Sequence, residues 1–82
     1  MDNDTLTRVL DNRIETLNMK SKRRYGHRHL NGYWGIYLSE GSGLSTVVTG
    51  LDSRRKLLNV LDGMINYAVF EELALKGQIV SV

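Results

Sequence analysis

The chain has 82 residues, 41% hydrophobic and 24% charged, with a formal net charge of +2. That is enough for one domain and too balanced for a disordered tail, a collagen-like chain or a low-complexity chain. It contains no cysteine and no proline, which excludes disulfide scaffolds, thiolate zinc sites, cysteine nucleophiles and polyproline ligands.

The first periodic segment runs from Asp4 to Asn18. Leu6, Val9, Leu10, Ile14 and Leu17 recur at helical spacing on one face, with Arg8, Asp11, Asn12 and Glu15 on the other. Asn3 or Asp4 can cap its free amides, and Asn18 is the expected left-handed stop. Next comes Arg23 to Ser39, interrupted by Asn31-Gly32. That dipeptide suits a two-residue type I′ turn, which needs positive φ at both central positions. The resulting hairpin sets Leu30 opposite Tyr33, His29 opposite Trp34, Arg28 opposite Gly35, His27 opposite Ile36, Gly26 opposite Tyr37 and Tyr25 opposite Leu38. Strand alternation then puts Trp34, Ile36 and Leu38 on one face with Tyr25, His27 and His29. Tyr33 and Tyr37 share the other face with Arg24, Arg28 and Leu30. The first face is the more apolar and should carry the helices.

Glu40-Gly41-Ser42-Gly43 reads as a turn, and Leu44 to Thr49 as a third strand rich in β-branched residues. Its register stays open, because three- and four-residue loops put opposite faces inward. Asp52 or Ser53 starts a second helix that should run to about Lys76 and stop at Gly77. Leu57, Leu58, Leu61, Met64, Ile65, Ala68, Val69, Leu73 and Ala74 form its broad apolar stripe, and Ile79 to Val82 can add a short last strand. The expected fold is a single small α+β domain over residues 1–82. It has two layers in the order α-β-β-β-α, with a three-stranded antiparallel sheet carrying both helices on one face. A helix from Ser53 to Lys76 would be ~36 Å long, against a diameter of roughly 30 Å for a compact domain of this size. The overshoot implies either a bend near Gly63 or packing on a second copy, and the small core favours a homodimer.

Charge is segregated. Residues 1–19 hold Asp2, Asp4, Asp11 and Glu15 against Arg8 and Arg13, whereas Lys20, Lys22, Arg23, Arg24 and Arg28 follow with no acid among them. A second cluster, Ser53-Arg54-Arg55-Lys56, opens the last helix. Clustered cations are a footprint for phosphate or an acidic surface, and also make an ordinary solvated surface. Helix N-termini attract anions, yet three cations there oppose the usual preference for acids, and Asp52 competes for the same amides. Tyr33 and Tyr37 beside Arg24 and Arg28 combine stacking rings with guanidinium groups, the recipe for bases and phosphates. The bland alternative is that Tyr suits a half-exposed strand and Arg packs on its ring.

Catalytic patterns are thin. His27 and His29 can give two ligands on one strand face, but a tetrahedral metal site needs more and no further His exists. Gly41-Ser42-Gly43 matches neither a nucleophile elbow nor a phosphate loop. No close pair of acids sits in an apolar context. Neither an enzyme nor a cofactor is therefore expected. The longest apolar run, Tyr67-Ala68-Val69-Phe70, is too short to cross a membrane, and the acidic start is unlike a secretory signal, so the expected location is cytoplasmic.

The α-β-β-β-α order, with Ser53-Arg54-Arg55-Lys56 at the start of the last helix, resembles double-stranded-RNA-binding domains. The glycine-rich loop and alanine-rich last helix of that family are absent here. Small helix-and-sheet proteins of this length also occur among bacteriophage accessory and host-inhibitor proteins. The leading expectation is a non-enzymatic module that binds nucleic acid or a nucleotide. Its expected binding residues are Lys20, Lys22, Arg23, Arg24, Tyr25, His27, Arg28, His29, Tyr33, Tyr37, Ser53, Arg54, Arg55 and Lys56. The alternative is a protein-binding module, such as a phage or mobile-element accessory protein, that engages an acidic host protein.

Overall fold

The structure, a computed structural model, describes residues 2–77. Its elements are α1 (Asn3–Ser21), β1 (Arg24–Leu30), β2 (Tyr33–Glu40), β3 (Gly43–Leu51) and α2 (Arg54–Leu75). The strands form one antiparallel sheet in the order β1-β2-β3, and both helices pack on the same side of it. The strand expected at Ile79 to Val82 lies outside the described residues.

Asp2 is the N-cap of α1, its carboxylate accepting the Thr5 amide at 2.7 Å. The helix does not stop at Asn18. It continues to Ser21 and ends on Lys22, which takes the left-handed conformation at φ 60. Asn18 clips the start of β1 instead. Its Oδ1 accepts the Tyr25 amide at 2.7 Å and its Nδ2 donates to the Tyr25 carbonyl at 3.1 Å. The side-chain amide thus imitates a neighbouring strand and fixes where β1 begins.

Asn31 and Gly32 both have positive φ, 55 and 81, and the β1–β2 register is the one the type I′ turn dictates, from Tyr25↔Leu38 to Leu30↔Tyr33. The next turn is tighter than a three- or four-residue loop. Glu40 pairs with Gly43, leaving only Gly41-Ser42 between them, and Gly41 supplies the positive φ of 58 that a two-residue turn needs at its first position. Two irregularities then shift β3 along β2, from Tyr37↔Thr46 to Ile36↔Val48 to Trp34↔Leu51. Each bulge inserts one residue in β3. The first insertion turns Val48 toward the helices opposite Ile36, and the second restores the starting phase so that Leu51 faces them opposite Trp34; both pack against the core.

That core is Leu10 and Leu17 of α1, Trp34 and Ile36 of β2, and Leu57, Leu61 and Ala68 of α2. The central strand therefore supplies the sheet's buried side, as its alternation requires. Arg54 Nε donates to Thr7 Oγ1 at 3.1 Å, and Arg13 Nε pairs with Asp62 Oδ1 at 3.0 Å. Rising numbers in α1 meet rising numbers in α2, so the helices run in the same direction. None of the described helices is long and apolar enough to cross a membrane.

Candidate functional site

The side of the sheet away from the helices carries the candidate site. The cross-strand pairs Gly26↔Tyr37, Arg28↔Gly35 and Leu30↔Tyr33 set Tyr33, Tyr37, Arg24, Arg28 and Leu30 on this face. The two glycines shape it. A Cβ at Gly26 would overlap the Tyr37 ring, so the ring lies flat across the neighbouring strand. The Arg28 guanidinium sits over that ring, 5.1 Å from its centroid. A Cβ at Gly35 would stand 2.7 Å from the Val48 carbonyl oxygen, where bulged β3 closes on β2.

A groove lies beside Tyr33, with Arg28 separating it from Tyr37. Its volume is about 290 Å³, and Arg28, Leu30, Tyr33, Thr46 and Thr49 line it. Tyr33 is 53% exposed, and Leu30, Leu44 and Val47 are exposed as well. This arrangement offers one free aromatic face, a second ring already engaged by a cation, and a guanidinium between them. The two rings and two arginines were legible in the sequence. Leu30, Gly35, Thr46 and Thr49 were missed as groove residues. Glycine inside a strand was the available signal, since it marks close backbone approach.

The sequence's basic run does not form one patch. Arg24 and Arg28 go to the open face. Lys20, Lys22 and Arg23 instead line a separate cleft at the far ends of the helices. Tyr25, His27 and His29 lie on the helix side. Tyr25 packs against the core. His27 Nε2 lies 2.8 Å from Asp11 Oδ1, while its Nδ1 is buried with no partner among the described residues. His29 stacks on Trp34 with ring centroids 4.3 Å apart and planes within 9°. The two imidazoles are thus engaged with different partners. Among the described residues, no three His, Asp or Glu side chains converge as metal ligands.

The cluster at the start of α2 is also divided. Ser53 is the N-cap, its hydroxyl accepting the Lys56 amide at 3.2 Å. Lys56 Nζ pairs with Asp52 at 2.9 Å. The Arg54 guanidinium lies over the Trp34 ring at 4.6 Å while its Nε reaches Thr7. Arg55 alone is left exposed and without an ion pair among the described residues. The unusual cations of the first turn therefore have a local cause: Arg54 packs on the core tryptophan and fastens α2 to α1, which offsets its unfavourable position on the helix dipole.

The chain matches no protein-family model, and comparison with curated proteins and with solved structures returns no significant match.

Proposed function

We propose that the protein is a non-enzymatic module that binds single-stranded nucleic acid on the open face of its sheet, and that it works as a pair of chains. One observation carries the first part: Tyr33, Arg28 and Gly35 line a groove on this face, where Arg28 also lies over the Tyr37 ring and Arg24 stands on the same side. Bases stack on aromatic rings at ~1–3 kcal/mol each, with little regard to sequence, and guanidinium groups neutralise the backbone. A single strand fits better than a duplex, because an unpaired base can enter the groove and stack on the exposed Tyr33 ring whereas a base held in a duplex cannot.

Fluorescence anisotropy of a labelled single-stranded oligonucleotide, titrated at several salt concentrations, tests this. Log affinity should fall linearly with log salt, by about 0.7 for each phosphate neutralised. Arg24→Glu with Arg28→Glu should abolish binding at low salt, and Tyr33→Ala should cost roughly tenfold. Binding that is absent at low salt, or indifferent to these changes, overturns the proposal.

The exposed Leu30, Leu44 and Val47 favour a second reading, in which the same face docks an acidic protein. Affinity would then rest on the apolar residues. Leu30→Ser and Leu44→Ser would weaken it more than Tyr33→Ala, and salt would matter less.

A further inference from the structure

We propose that the cleft at the far ends of the two helices is the surface through which two copies of this chain pair. This rests on the reading of the protein as a pair and names the face that makes it. The cleft has a volume of about 670 Å³ and lies where the last turn of α1 and the α1–β1 connection meet the C-terminal half of α2. Its floor is Leu17, Met64 and Ala68. Around the floor stand Met19, Tyr67 and Leu75, which are 71%, 68% and 84% exposed. Leu75 continues the stripe of Leu57, Leu61 and Ala68 down α2, yet none of the described residues covers it. Large apolar side chains gathered around one concavity mark an interaction site far more often than scattered ones do. Methionine and tyrosine are also enriched in such interfaces.

Charge selects the occupant. One wall of the cleft carries Lys20, Lys22 and Arg23, and the other carries Glu71 and Glu72. Lys20 and Lys22 are near enough to help Lys76 hold the Glu72 carboxyl below its ordinary range. Glu71 makes no ion pair among the described residues. A two-fold axis lying along the cleft places the basic wall of one copy over the acidic wall of the other, twice over, which is the self-complementarity an isologous interface requires. A nucleic acid would meet the acidic wall, and a uniformly acidic or basic peptide would meet a wall of its own sign.

Sedimentation equilibrium on the full chain tests the proposal. At micromolar concentration the wild type should sediment at about twice 9.3 kDa. Tyr67→Glu with Leu75→Glu should sediment as a monomer, with an unchanged circular dichroism spectrum because both side chains are exposed. Glu71→Lys alone should raise the dimer dissociation constant by about tenfold, and adding Lys22→Glu should restore it, since a reversed pair is again complementary. Glu71→Lys also keeps the test decisive if the double variant fails to fold. A wild type that stays monomeric overturns the pairing itself and leaves the face to a different protein. A dimer indifferent to Tyr67, Leu75 and Glu71 leaves the pairing standing and overturns this face.

Discussion

Replacing Trp34 with alanine should bring the domain close to unfolding. Trp34 is only 8% exposed, with His29 stacked on its ring and the Arg54 guanidinium over it. An aromatic side chain of this kind buries ~150–250 Å², which at ~25 cal/mol per Å² is roughly 4–6 kcal/mol of transfer free energy. Alanine keeps a small part of that contact, so the expected loss is ~3–5 kcal/mol. At ~0.05–0.15 kcal/mol per residue, a chain of this length has about 4–12 kcal/mol in total. Thermal unfolding by far-ultraviolet circular dichroism should show a midpoint lower by ~12 °C or more, since each kcal/mol moves a domain of this size by ~4–8 °C. A double-mutant cycle with Arg54→Ala should show ~1 kcal/mol of coupling from the lost cation–π contact. A midpoint within a few degrees of the wild type would refute the packing role of Trp34, and zero coupling would refute the role given to Arg54.

Four further outcomes are expected. Asn18→Ala removes both clips on Tyr25 and should cost ~1–3 kcal/mol, with faster amide hydrogen exchange at Tyr25 as the specific readout. Gly35→Ala drives a methyl into the Val48 carbonyl oxygen and should cost ~1–3 kcal/mol, with chemical-shift changes concentrated in the bulged half of β3. Gly26→Ala displaces the Tyr37 ring and with it Arg28, so oligonucleotide affinity should fall more than the melting temperature does. Glu72 is held below its ordinary value of 4.5, first by its hydrogen bond from Lys76 and then by the charges of Lys76, Lys20 and Lys22. A carboxyl lowered in the folded state stabilises it above the ordinary value and loses that effect as pH falls through the folded one. Protection of the amides at the end of α2, measured against their intrinsic exchange rates, should therefore fall only below about pH 4.5, and Glu72→Gln should remove the dependence.

The hairpin was legible because a two-residue turn leaves no freedom. Once Asn31-Gly32 is placed, every pair from Tyr25 to Leu38 follows by alternation, and with it the helix face and the open face. The end of α1 was not legible. Asn18 looks like a left-handed stop, but its amide is worth more on the Tyr25 backbone, and the left-handed position passes to Lys22, a residue with no such preference. β3 was legible as a strand and not in register, because its two bulges arise from how it closes on Gly35. The basic clusters misled in a different way. Neighbours in sequence at a helix–strand junction point in different directions, so Arg24 and Arg28 part company with Lys20 and Lys22. Arg54, chosen for its charge, is held by the flat ring beneath it.

An open three-stranded sheet has two unpaired borders, here β1 and β3. Apart from Tyr25, whose amide and carbonyl Asn18 already occupies, each offers backbone amides and carbonyls that could recruit the same strand from another molecule and begin a fibre. β3 is protected by its two bulges, which break the regular spacing a docking strand would need. β1 has no bulge, and its defence is chemical: Arg24, His27, Arg28 and His29 crowd seven residues with groups that resist stacking edge to edge. The arginines proposed to meet phosphate are thus also the charges that guard this border. Exchanging Arg24 and Arg28 for valine would remove a ligand contact and a guard together, and the resulting aggregation could be mistaken for lost binding. Exchanging them for glutamate removes the contact while the border stays charged.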